Sequence, residues 1–279
     1  MNYRHAFHAG NFADAVKHLA LCDVLLHLKR KEKPFFMLDT HAGRGLYDLS
    51  GEEPARTGEA ARGIEKLRPL FGRSDLPETM KTYFDCVSVA GVAHYPGSPL
   101  IAARLLRAGD RLVAIEKQEM EFANLKRALS PYKNAKAIEG DGYERIAALL
   151  PPPERRGLVL IDPPYEASGE FERAAAALAA AYRRFATGIY MLWFPIKSPA
   201  VADAFCGEVL ACGAKKVLRI GVSVSPVAAA TDKERLAAAG LLIVNPPFEM
   251  DARMKACGEI IAPLLEARFG VDWLVGEGA

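Results

Sequence analysis

The chain has 279 residues, 51% hydrophobic and 25% charged, a balance that supports one large α/β core without disulfides or metals. A net charge of +2 excludes a bulk polycation, so any nucleic-acid surface must come from local clusters of Lys and Arg. The five cysteines (Cys22, Cys86, Cys206, Cys212 and Cys257) form no C-x-x-C pair, which excludes a zinc pattern or disulfide framework and points to a reducing compartment.

The chain opens on Met1-Asn2-Tyr3-Arg4-His5, with no apolar signal core, and no run reaches the roughly 18 apolar residues of a membrane span. A soluble, cytoplasmic protein without a membrane partner is expected. Residues 12–31 predict a helix with Val16, Leu19, Ala20, Leu25, Leu26 and Leu28 as its apolar positions. The first strand follows Pro34 as Phe35-Phe36-Met37-Leu38-Asp39. The segment 48–95 then departs from the rhythm: it is polar and helical over Thr57 to Leu70 and Pro77 to Ala90, and reads as a helical insertion. Short apolar strands resume at 111–116, 135–139, 157–162 and 188–194, alternating with helices over 118–129, 142–150, 170–184 and 199–211. Continuous apolar strands between helices signal a parallel sheet covered on both faces. Near the end, Lys216 to Val224 and Leu241 to Asn245 read as a hairpin-like pair, which reverses one strand. The expectation is a single domain over 1–279 with a Rossmann-like, seven-stranded mixed sheet holding one antiparallel strand. That is the arrangement of class I methyltransferases, an analogy of fold that carries no function alone.

The strongest motif is Asp162-Pro163-Pro164-Tyr165, directly after an apolar strand. A strand ending in Asp puts its carboxylate at the carboxyl edge of the sheet, where open α/β sheets bind ligands. The two prolines remove donors, so the loop presents carbonyls. An amino group held there meets acceptors from Asp162 and Pro163, and Tyr165 supplies a ring on which a base can stack. An adenine N6 amine is a poor nucleophile, and acceptors on its hydrogens stabilise the charge that develops as a methyl arrives. The plainer alternative is an Asp capping a turn.

The loop Asp39-Thr40-His41-Ala42-Gly43-Arg44-Gly45 after the first strand has a G-x-G pattern, which alone suits an ordinary turn equally well. No Gly-Lys-Ser/Thr is present, so it is not a P-loop. Glu116 ends the second long strand, placed for ribose hydroxyls, and Asp141-Gly142 follows the third, placed for a cofactor adenine. The ribose acid ordinarily lies about 20 residues after the glycine loop; setting the 48–95 insertion aside restores that spacing. Singly these acids read as solvated strand ends, but with Asp39 and Asp162 they ring one sheet edge. Asn245-Pro246-Pro247-Phe248 imitates the first motif yet lies on the late hairpin and reads as structural. The basic pairs at Lys29-Arg30-Lys31, Arg155-Arg156, Arg183-Arg184 and Lys215-Lys216 read first as solvated faces. His27 and His94 have no partner spacing, and no metal site is expected.

These residues bring a family into view. Tyr3-Arg4-His5-Ala6-Phe7-His8-Ala9-Gly10-Asn11, Leu38 to Gly43, Tyr95-Pro96-Gly97-Ser98-Pro99, Arg155-Arg156-Gly157, Asp162 to Tyr165, Arg184 to Tyr190 and Asn245-Pro246-Pro247 together resemble the ribosomal RNA large subunit methyltransferase J family. The resemblance covers nearly the whole chain and implies S-adenosylmethionine-dependent methylation of an adenine N6 in 23S rRNA. It implies that His18, His41, Gly43, Ser98, Glu116, Asp141, Gly142 and Asp162 line the cofactor site, with Asp162 also the acceptor for the target amine. Tyr3, His5 and Lys17, within a substrate- and cofactor-contacting motif over 1–31, would lie beside the substrate. Phe12 departs from the pattern, where a polar residue such as His is expected, and so does Arg44, where a small residue can occur. Two other readings compete: a DNA adenine methyltransferase, and a non-catalytic RNA-binding module of the same fold.

Overall fold

A computed structural model describes residues 8–51, 58–224 and 236–276. In chain order it begins with helix α1 (Phe12–Lys29), strand β1 (Phe36–Asp39) and the short strand β2 (Leu46–Asp48). Helices α2 (Glu59–Arg62), α3 (Ile64–Leu67) and α4 (Glu78–Ser88) lead to strand β3 (His94–Pro96). Then come α5 (Ser98–Leu105), β4 (Arg111–Glu116), α6 (Glu119–Leu129), β5 (Ala135–Glu139), α7 (Gly142–Leu149) and β6 (Gly157–Ile161). The chain closes with α8 (Glu170–Arg184), β7 (Ile189–Pro195), α9 (Pro199–Leu210), β8 (Val217–Val224), β9 (Ala238–Val244), α10 (Met250–Leu265) and β10 (Ala267–Val275).

Among the described residues eight strands form one sheet in the order β10-β8-β9-β7-β6-β1-β4-β5. The five from β7 to β5 are parallel, β9 is antiparallel to both β7 and β8, and β10 is antiparallel to β8. Seven strands with β9 reversed match the sequence expectation; β10 adds an eighth and a second reversal. Its pattern is hard to see because the strand starts one residue after α10, with Glu266 turning the corner at φ 52°. Only Val271 is fully buried, while Arg268 and Asp272 face water. That half-wet alternation suits an edge strand.

Period-two alternation sorts the central strands between two cores. Met37, Leu158, Leu160, Leu112 and Ala114 face one side, packing with α1, α4 and α10. Phe36, Leu38, Val159, Ile161, Val113 and Ile115 face the other, against residues of α7, α8 and α9. Each such side chain contributes about 1.5–3 kcal/mol by leaving water.

Helix α1 is not an ordinary amphipathic surface helix. Every residue from Phe12 to Leu25 is buried, including Asp14, Lys17, His18 and Asp23. Asn11 caps it by accepting from Asp14 N at 2.8 Å. Near its far end, Asp23 receives Arg253 of α10 in a two-pronged ion pair at 2.6 and 2.8 Å, and Thr79 of α4 at 3.0 Å. Strands β2 and β3 pair antiparallel, Tyr47 opposite Tyr95. This ribbon draws the two ends of the helical segment α2–α4 together, and α4 packs on α1. Among the described residues no helix is long and apolar enough to cross a membrane.

Candidate active site

Parallel strands aim their carboxyl ends at one rim, and a cavity of about 860 Å³ opens there. Its walls include His18, His41, Gly43, Ser98, Glu116, Asp141, Gly142, Asp162, Pro163 and Tyr165, together with Lys17. Tyr3 and His5 lie outside the described residues.

The glycine loop is pinned to both neighbouring strands. Thr40 N donates to Leu160 O at 3.0 Å and Ala42 N to Ile115 O at 2.9 Å. Thr40 Oγ1 also donates to Leu160 O at 3.0 Å. That hydroxyl has only one hydrogen, so at His41 Nδ1, 2.8 Å away, it accepts. His41 therefore carries its proton on Nδ1 and offers Nε2 as an acceptor. Desolvation holds the imidazole down at about 4, so the ring is neutral at physiological pH. Its edge meets Tyr143, with ring centres 4.7 Å apart.

Asp39 is fully buried, and Ser98 Oγ donates to its Oδ2 at 2.7 Å. Its Oδ1 is buried without a partner among the described residues. Burial pushes this carboxyl up to about 7, with repulsion from Asp162 adding to it and the Ser98 hydroxyl and Lys17 opposing it. A raised folded-state value means that stability falls as pH climbs from the unfolded carboxylate value of about 4 toward 7, and is level above. Asp39→Asn is therefore expected to melt close to wild type at pH 5 and several degrees higher than wild type at pH 8. Melting curves at the two pH values check this; a constant gap would refute the charge assignment.

Glu116 accepts Gly43 N at 2.9 Å on one oxygen and Gln118 N at 2.7 Å on the other. Each oxygen keeps a second lone pair for a ligand hydroxyl. Burial raises this carboxyl, with the backbone N–H bonds working against it. Asp141 caps α7 by accepting Tyr143 N at 3.0 Å and pairs with Lys117 at 2.9 Å. Burial would lift it, but these partners and Arg173 hold it below the usual carboxylate range. Gly142 is a matter of space: a Cβ there would sit 2.0 Å from Thr40 O. Only glycine brings the start of α7 against the β1 loop.

Asp162 stands just past β6, its side chain 14% exposed, and Lys17 Nζ lies 2.5 Å from its Oδ2. The same ammonium is 2.7 Å from Asp14 Oδ1. Burial alone would lower Lys17, yet the two carboxylates outweigh it and raise it above the ordinary lysine value. Lys17, expected beside the substrate, lines the same cavity and is a 4%-exposed counter-ion of Asp162.

Tyr165, expected to supply a ring for base stacking, lines the cavity while most of its surface is packed away. It is 6% exposed, holds φ at 53°, and donates its hydroxyl to Trp193 O at 2.7 Å. Phe171, Trp193 and Phe205 pack around the ring. Burial pushes the phenol well above its ordinary value, so it stays a donor. Asn245 is a structural lock, donating to Ala186 O and Gly188 O at 2.8 and 2.7 Å.

The motif reading passed over Asp14, Tyr143, Glu170 and Arg173, which also line the cavity. Tyr143 donates to Glu170 at 3.0 Å and lies under the Arg173 guanidinium. Asp14 had a legible signal: with Lys17 and His18 it sets polar residues at i, i+3 and i+4 in an otherwise apolar first half of the helix. His18 Nδ1 lies 2.7 Å from Tyr95 Oη, which lies 2.9 Å from Tyr83 Oη. Among the described residues no group of His, Cys, Asp or Glu is arranged to hold a metal.

An S-adenosylmethionine molecule suits this donor set. Glu116 answers hydroxyls, the neutral His41 ring offers an acceptor, and the glycines at 43 and 142 clear space along the wall.

Comparison with known proteins agrees. The family model for ribosomal RNA large subunit methyltransferase D, RlmJ, matches residues 32–275. Proteins of Haemophilus influenzae and Escherichia coli, each named ribosomal RNA large subunit methyltransferase J, are 37% identical over 99% of this chain and all of their own length. The crystal structure of a Legionella pneumophila protein superimposes with a TM-score of 0.84 at 33% identity, covering 95% of this chain and 98% of that one. Sheet order, cavity and sequence thus converge: the chain belongs to the ribosomal RNA large subunit methyltransferase J family.

Proposed function

We propose that this protein transfers a methyl group from S-adenosylmethionine to the exocyclic N6 amine of an adenine in 23S rRNA, in the cytoplasm. The observation that carries the reading is Asp162 at the carboxyl end of β6, facing the cavity and followed by two prolines. The catalytic group is Asp162, with Pro163 O as second acceptor and Tyr165 fixing the loop. His18, His41, Gly43, Ser98, Glu116, Asp141 and Gly142 hold the cofactor.

When bound, S-adenosylmethionine supplies a methyl already activated on a sulfonium. The chain's own work is alignment and charge. Asp162 and the Pro163 carbonyl accept the amine hydrogens, which orients the nitrogen and stabilises the positive charge it gains. Asp162 is also the acceptor placed to take the proton the amine then sheds. Lys17 anchors the carboxylate so that it does not rotate away. The target base must leave its stack, at a cost of a few kcal/mol that is least in loops and bulges. Free or partly assembled rRNA is therefore the expected substrate.

The test is transfer of labelled methyl from S-adenosylmethionine to protein-free 23S rRNA, to assembled subunits and to DNA, with the product nucleoside identified by mass spectrometry. N6-methyladenosine in free rRNA is the expected product. Label in DNA alone would overturn the substrate, and equal labelling of free rRNA and subunits would overturn the assembly preference.

A further inference from the structure

The helical segment between β2 and β3 meets the residues before α1 at one buried polar point. Glu59, the first residue of α2 and 7% exposed, lies 3.0 Å from His8 Nδ1 through Oε1. Its Oε2 accepts Asn11 Nδ2 at 2.9 Å. Two backbone features lock the same junction. Ile64 N donates to Gly10 O at 2.8 Å. A Cβ on Gly63 would lie 2.1 Å from that oxygen, so the approach needs glycine.

Tying the segment down explains the Asn11 contact and the backbone lock. It does not explain His8, which lines the cavity mouth with its side chain 35% exposed. A buried carboxylate behind a rim imidazole favours the imidazolium. Burial alone would lower His8, but Glu59 from α2 and Asp14 from α1 outweigh it and raise it above the ordinary histidine value. With Nδ1 turned to Glu59, Nε2 is the ring's second donor. Deeper in, the Lys17 ammonium is committed to Asp14 and Asp162. A nucleotide entering this cavity carries its negative charge on phosphate, which stays at the rim when the base goes in.

We propose that His8 binds a backbone phosphate of the RNA beside the target base, with Glu59 as its positioning residue. The inference rests on the reading of RNA as substrate. It gives the inserted helices a function: they carry the carboxylate that sets a substrate contact. The same carboxylate is linked to the reaction centre, since Asn11 Oδ1 caps Asp14 N and Asp14 holds Lys17 against Asp162.

The experiment compares His8→Gln, His8→Lys and Glu59→Gln with wild type on protein-free 23S rRNA. RNA affinity is measured against salt and pH, alongside KM, kcat and S-adenosylmethionine affinity. His8→Gln is expected to raise KM for RNA about tenfold and to flatten the plot of log affinity against log salt by roughly 0.7–0.9, one phosphate contact. Wild-type affinity falls as pH rises through the His8 titration. His8→Lys retains the salt slope and loses that fall; Glu59→Gln moves the fall to lower pH. Cofactor affinity stays within twofold throughout. If His8→Gln and Glu59→Gln keep the wild-type KM, salt slope and pH dependence, or change only the melting temperature, the contact is structural and the proposal is overturned. Absence of methyl transfer by wild type would refute the substrate reading instead, and the binding measurements decide the His8 contact independently of it.

Discussion

Asp162→Asn is expected to lower kcat by about 10²–10³, the usual cost of removing one preorganised group that stabilises developing charge. The variant keeps the volume and one oxygen. It replaces the other oxygen with an NH₂ that points hydrogens where the amine's own hydrogens must go. It also removes the negative charge that balances the positive nitrogen. Lys17 keeps Asp14 as a partner at 2.7 Å, so the fold survives. Single-turnover transfer of labelled methyl to rRNA, with a melting curve as control, makes the measurement. A folded variant within tenfold of wild type would remove Asp162 from the catalytic role.

The second large effect concerns stability. Lys17→Met should destabilise the fold by about 3–5 kcal/mol at neutral pH, the typical result of deleting one partner of a buried ion pair. Asp14 and Asp162 would then face each other without the ammonium that now lies 2.7 and 2.5 Å from them. In the variant these carboxylates bind protons more readily than in the unfolded chain. The penalty is therefore complete above their raised folded-state values, shrinks as pH falls from there, and is gone below the unfolded carboxylate value near 4. Wild-type Lys17 has the opposite sign: its raised value contributes stability that is complete below about pH 10.4 and lost above. Urea unfolding at pH 7 and pH 4 tests the pair. A gap under 1 kcal/mol at pH 7, or equal gaps at both, would show that the ion pair contributes little.

The strands that position the site are legible because β1, β4, β6 and β7 are buried on both faces and so read as continuous apolar runs. The carboxylates that end β1 and β4 and follow β6 stand out against that background. Strand β10 escapes the same reading because it alternates weakly, is broken by Gly270 and follows a helix without a loop. In the site, Asp162 and Glu116 are visible as strand-ending acids, whereas Tyr143, Glu170 and Arg173 sit in helices whose charge looks like solvent-facing decoration. The pairing of Lys17 with Asp162 could not be read either. Helical spacing gives its neighbours on α1, but the partner lies 145 residues away. Tyr165 illustrates a further limit: sequence announces an aromatic ring, and only packing decides how much of it reaches the cavity.

The burial of α1 also bears on how the protein is made. Asp23 leaves the ribosome early, yet its guanidinium partner Arg253 lies 230 residues later. Until α10 emerges, one flank of α1 has nothing to pack against and Asp23 has no cation. Asp14, Lys17 and His18 ride on that helix, so the reaction centre closes only when nearly the whole chain is available. Loops this long cost entropy before their contacts form, which slows assembly. A nascent chain stopped before α10 would lack the Arg253 partner of Asp23 that secures α1.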